Sequence, residues 1–161
     1  MAKLYRICSL LMASLFLASA SVQFNDSDWY FWVPLYSCAA YVNLINSLAS
    51  SVPTKRVSVT GKITLYLGIF LLTKVVLEDY FGDMVGIWSL DMRHRLVREK
   101  FGSGLVISSM ILQLLSLEED PTKRGNFTVR PHVESGMVIL VGISYGLSFV
   151  FMVVHEKEMM F

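Results

Sequence analysis

Charge is scarce in this chain. Of its 161 residues only 17% are Asp, Glu, Lys or Arg, and the formal net charge is +1. Such a balance excludes the basic field that nucleic-acid binding needs, so no nucleic-acid partner is expected. Cysteine is scarcer still. Cys8 and Cys38 both fall inside apolar runs, which excludes a disulfide framework and reads as two buried thiols; palmitoylation of Cys8 is the alternative. Four prolines make no Pro-rich linker, and neither an internal repeat nor a low-complexity segment is present. Nucleophile elbow, P-loop, HExxH helix and paired CxxC motifs are all missing. No catalytic residue, cofactor or metal site is therefore assigned, and a lone His94 or His132 does not make one. The final residues, Glu158-Met159-Met160-Phe161, carry no retention signal of the KDEL type.

What the chain does hold is apolar residues. They make up 54% of it, the mean hydropathy is +0.54, and they gather into long blocks. A bilayer core asks for about 20 mostly apolar residues per helix. Five stretches meet or approach that length: 4–22, 29–49, 62–77, 103–117 and 135–154. The third and fourth are short. The expected fold is an all-α, multi-pass transmembrane bundle of five helices, forming one integral membrane domain over 1–161. The bilayer is its first partner.

Lys and Arg near helix ends set orientation. Lys3, Arg6, Lys55, Arg56, Lys62, Lys123, Arg124 and Arg130 would lie on one side; Arg93, Arg95, Arg98, Lys100 and Lys157 on the other. The excess predicts a cytoplasmic N-terminus and a C-terminus on the opposite side. A rival reading takes Lys3 and Arg6, the run Ile7–Leu17 and Ala18-Ser19-Ala20 as a cleaved signal peptide, which would leave four helices. The turn that follows so soon after Ala20 favours a retained hairpin. Sequons stand at Asn25 and Asn126. In this topology Asn126 is cytoplasmic and Asn25 hugs the membrane, so neither is expected to carry a glycan.

Polar residues interrupt the apolar blocks most sharply at Gln23-Phe24-Asn25-Asp26-Ser27-Asp28. Asp26 or Asp28 suits the N-cap of the second helix, where a carboxylate also favours the positive end of the helix dipole. Trp29, Trp32 and Tyr36 follow and read as an interfacial aromatic belt. The functional alternative gives Asn25, Asp26 and Asp28 a hard cation or a polar headgroup to hold. Threading brings Lys74, Glu78 and Asp79 to the same side as this turn, near His94, Arg98 and Glu99, with Trp88 in the same loop. Gln23, Asn25, Asp26, Asp28, Lys74 and Glu99 thus form a candidate polar rim. Lys74, one turn from its helix end, can snorkel or pair with Asp26 or Asp28. Arg93-His94-Arg95 with Arg98 reads as a solvated loop or a lipid-phosphate contact, and Glu118-Glu119-Asp120-Pro121 as a helix stop. Gly142 and Gly146 match the small-xxx-small pattern of close helix contact, inside one copy or between copies of a homo-oligomer.

The hairpin Val22-Gln23-Phe24-Asn25-Asp26-Ser27-Asp28, with Trp32 and Tyr36 beyond it, resembles the signature of the transmembrane protein 220 family, which runs Gln-x-Asn-Asp-Pro-Asp and then Trp and Tyr at the same offsets. Ser103-Gly104-Leu105-Val106-Ile107 resembles the start of a later helix in that family. Two features depart from it. Ser27 stands where the family has proline, and Arg98-Glu99 lies further upstream of Gly104-Leu105. The resemblance implies a multi-pass membrane architecture and leaves activity open. Two functional expectations follow. One is a non-enzymatic protein acting through packing or partner binding; the other is a small lipid- or solute-handling protein, whether binder, transporter or lipid enzyme, with its site at the non-cytoplasmic rim. A channel has too few polar residues to line it unless the protein oligomerises.

Overall fold

The computed structural model describes residues 2–25, 28–48, 54–82, 95–117 and 131–159. The described residues form five helices: α1 (Ala2–Gln23), α2 (Trp29–Leu48), α3 (Thr54–Gly82), α4 (Arg95–Leu117) and α5 (Pro131–Met159). Each helix packs against the next in sequence, and α5 returns to α1, so the five close a ring; α2 and α4 also touch across its middle. Helices adjacent in sequence run antiparallel, and α5 lies parallel to α1, with Met12 beside Ser144 and Ser14 beside Tyr145. Ser47, at the end of α2, donates to the Arg6 carbonyl at the start of α1 at 3.0 Å.

The helices outrun the apolar blocks that announce them. α3 extends eight residues before 62 and five beyond 77, and α4 starts at Arg95 rather than 103. They are full-length spans and not short ones. Hydropathy marks the thickness of hydrocarbon, whereas backbone hydrogen bonding marks the helix, and Lys, Arg and Glu are good helix formers that carry a span out past the lipid. α5 likewise begins earlier, at Pro131, a residue that suits the first helical position because its missing N–H has no partner there.

Four helices, α1, α3, α4 and α5, are long and apolar enough to cross a bilayer. α2 is diluted by Tyr30, Tyr36, Tyr41, Asn43 and Asn46, yet its 20 residues span about 30 Å at 1.5 Å per residue. It tolerates that composition because it meets α1, α3 and α4 and turns Trp32, Leu35, Tyr36, Ala39, Ala40, Val42, Asn43 and Ser47 inward. α1 supplies Tyr5, Met12, Phe16 and Ala20 to the same core. The chain is an all-α, multi-pass integral membrane protein.

Close approach is set by glycines on α4 and α5. A Cβ at Gly102 would overlap the Tyr36 hydroxyl, and one at Gly136 would stand 2.9 Å from Leu112 Cδ2. Gly142 and Gly146 are different. Both are exposed, and among the described residues nothing lies within 4 Å of where their Cβ atoms would be. Among the described residues this pair makes no close helix contact, because it lies on the outward stripe of α5.

Candidate functional site

Two polar constructions occupy opposite ends of the bundle. The rim lies where α1 ends, α2 and α4 begin and α3 ends. Asp28 immediately precedes α2, and its carbonyl accepts from Phe31 N at 3.0 Å. This is the position from which an N-cap residue serves the first turn. Its carboxylate Oδ2 is 3.6 Å from Lys74 Nζ, which is also 3.2 Å from Glu78 Oε1, one turn further along α3. The Lys74 ammonium lies over the Phe31 ring, 5.7 Å from its centroid. All three charged side chains keep solvent access, at 20% for Asp28, 32% for Lys74 and 47% for Glu78.

A second ion pair sits deeper. Lys100 Nζ on α4 donates to Asp79 Oδ2 at 2.6 Å, with the Asp79 side chain fully buried. The other carboxylate oxygen, Asp79 Oδ1, is buried and has no hydrogen-bond partner among the described residues. Sequence reasoning missed this pair because Glu78 to Gly102 reads as loop; once α3 and α4 are extended, both residues stand on facing helices. Glu99, also buried, lies within electrostatic reach of Tyr36.

Of the rim residues expected from sequence, the structure brings Asp28 to Lys74. Gln23 ends α1, with its side-chain Oε1 buried and unpartnered among the described residues. Asn25 is exposed in the turn. Asp26 lies outside the described residues, as do Trp88, Arg93, His94, Glu118-Glu119-Asp120-Pro121 and Asn126. No group of three or more His, Cys, Asp or Glu among the described residues is arranged to hold a metal ion. The aromatic belt also divides. Trp29 is exposed with Phe24, Tyr30, Tyr80 and Phe81, whereas Trp32 and Tyr36 are buried in the core. Position along the helix explains the split: residues 29, 32, 36 and 40 fall on one stripe at helical spacing, but Trp29 is the first residue of α2 and stands at its end, whereas Trp32 and Tyr36 lie one and two turns further in with Ala39 and Ala40.

The opposite end holds a polar network that sequence reasoning did not find. At its centre is Gln113 of α4, fully buried. Its Nε2 donates to Asn43 Oδ1 at 2.7 Å and to Ser9 Oγ at 3.0 Å. Its Oε1 accepts from Asn46 Nδ2 at 2.6 Å, and Tyr5 Oη is 2.7 Å away. Asn43 Nδ2 donates to Ser109 Oγ at 3.0 Å, and Ser116 Oγ lies 2.7 Å from Tyr5 Oη. Three helices are pinned in register by one amide. The legible signal was polar residues at three- and four-residue spacing inside apolar runs: Asn43, Asn46 and Ser47 on α2; Ser109, Gln113 and Ser116 on α4. The cysteines remain free thiols, and Cys8 is buried against the core, which leaves the palmitoylation alternative without an accessible sulfur.

Between α4 and α5 an open groove of about 300 Å³ is lined mainly by Ile111, Leu112, Gly136, Ile139 and Ile143. It presents aliphatic carbon to the bilayer and offers no titratable group.

Comparison with known proteins agrees with this architecture. The family described as "Transmembrane family 220, helix" matches residues 15–115, from the middle of α1 almost to the end of α4. No curated protein and no solved structure matches the chain.

Proposed function

The chain belongs to transmembrane family 220, and from that premise we propose that it acts without catalysis, as a multi-pass membrane protein working through helix packing and partner binding. The observation that carries this reading is Gln113. Both atoms of its amide are engaged by side chains of α1 and α2, so the polar groups around Gln113 bond one another instead of lining a path for a solute. A buried polar network satisfied in this way specifies one arrangement of helices. The unfilled strip at Gly142 and Gly146 supports self-association through α5. The distribution of Lys and Arg supports a cytoplasmic N-terminus.

A second reading rests on the rim. Asp28, Lys74 and Glu78 form a partly exposed charged cluster beside Phe31, which supports binding of a lipid headgroup or solute there. Native mass spectrometry in nanodiscs separates the two. The packing reading expects Asp28→Asn to lower folded yield and to change no bound species. A lipid, solute or cation held by the wild type and lost by an equally well-folded Asp28→Asn variant sinks it in favour of the rim.

A further inference from the structure

We propose that Asp28, Glu78 and Phe31 form a seat for the alkylammonium group of a zwitterionic phospholipid, choline or ethanolamine, which Lys74 fills from within the chain when no lipid is bound. The inference rests on the rim reading above and names its ligand. Lys74 Nζ stands 3.6 Å from Asp28 Oδ2, 3.2 Å from Glu78 Oε1 and 5.7 Å from the Phe31 ring centroid. Carboxylates together with an aromatic face are what an alkylammonium ion needs: opposite charge on one side and the negative face of a π-system on another.

The depth is right. Trp29, Tyr30 and Tyr80 are exposed around this end of the bundle, and Trp and Tyr side chains sit at the headgroup level of a bilayer. Access is right as well, because none of the three charged side chains is fully buried.

Charge decides the class of lipid. An anionic headgroup would approach two carboxylates, Asp28 and Glu78, that share Lys74 between them. A zwitterion brings both signs. Its ammonium replaces that of Lys74 between Asp28 and Glu78, while Lys74, on a flexible four-carbon stem, swings outward to the phosphate. The two opposite-charge contacts of Lys74 are replaced by two of the lipid ammonium and a third from Lys74 to the phosphate, and partly exposed ion pairs are weak enough to exchange.

The test uses the full chain in nanodiscs of equal phosphatidylethanolamine, phosphatidylcholine and phosphatidylglycerol, with retained lipids read by native mass spectrometry. The expected result is enrichment of the two zwitterionic lipids over phosphatidylglycerol by about fivefold, the scale of one exposed ion pair. Glu78→Gln, a surface change, should return the ratio to that of the bulk bilayer. Tetramethylammonium chloride should displace the retained lipid from the wild type, a readout that needs no variant. Lipid retained without headgroup preference, or with a preference that survives Glu78→Gln and tetramethylammonium, overturns the alkylammonium seat and leaves the rim reading standing. No lipid retained at all overturns the seat together with the lipid form of the rim reading.

Discussion

The phenol of Tyr5 and the side-chain amide oxygen of Gln113 lie 2.7 Å apart although 108 positions separate them in the chain. That contact ties the first helix to the fourth, which are not neighbours in the ring, and it belongs to a network with Ser9, Asn43 and Asn46.

Gln113→Leu should therefore destabilise the protein more than a single interhelical hydrogen bond would. Single bonds of this kind inside membranes average about 0.6 kcal/mol, whereas this substitution strands several buried partners at once, and a loss of about 2 kcal/mol is expected. Reversible unfolding in mixed micelles measures it. Ser148→Ala, on the exposed side of α5, should change stability by less than about 0.5 kcal/mol and serves as the control.

Breaking the buried Asp79–Lys100 pair from one side should cost more than removing it. Lys100→Met leaves a carboxylate in a low-dielectric setting, at a cost of about 3 kcal/mol. Adding Asp79→Asn to Lys100→Met should recover most of that loss. A double variant no more stable than the single would show that the pair is held by something other than its charges. The same unfolding measurement applies.

Gly102→Ala should clash with the Tyr36 hydroxyl and destabilise by about 2 kcal/mol, the cost of overpacking a filled core. Tyr36→Phe removes the obstructing oxygen, after which a Cβ would stand 3.1 Å from the ring Cζ. The double variant should accordingly melt closer to the wild type than Gly102→Ala alone. Additive losses in a thermal-melt double-mutant cycle would contradict the contact.

Tyr5, Met12, Phe16 and Ala20 of α1 are buried in the common core, so the first helix should persist in the mature protein. Intact-mass analysis after expression in its membrane should return a chain that still contains these residues. A mass beginning after Ala20 would remove α1 and leave Gln113 without Tyr5 and Ser9.

Orientation has its own test. With the N-terminus cytoplasmic, Asn126 faces the cytoplasm, so glycosidase treatment should leave the mass unchanged. A glycan released from Asn126 would invert the proposed threading.

Much of the architecture could be read from sequence, because long apolar blocks broken by polar turns have few other physical solutions. The approach of Lys74 to Asp28 was legible for the same reason: a hairpin turn and a helix end on one side of a membrane have little room to avoid each other. The Gln113 network was not, since averaging over a window lets Leu and Ile conceal one amide. Asp79 and Lys100 escaped because charge reads as loop, although helical backbone accommodates it readily once a partner stands opposite. Residue type alone reads Trp32 and Tyr36 as interfacial, whereas their four-residue spacing with Ala40 also places them on the buried face of α2.

The Asn43–Gln113 bond has a consequence for synthesis. The two residues are 70 positions apart, so at about 5–20 residues per second the ribosome delivers α4 several seconds after α2. Throughout that interval Asn43 and Asn46 have no amide from α4 to bond. The second helix is also diluted by Tyr30, Tyr36 and Tyr41 and is not among the four that are apolar enough to cross a bilayer on their own. It should therefore linger beside the insertion machinery, paired with α1, and move fully into lipid only when the fourth helix arrives.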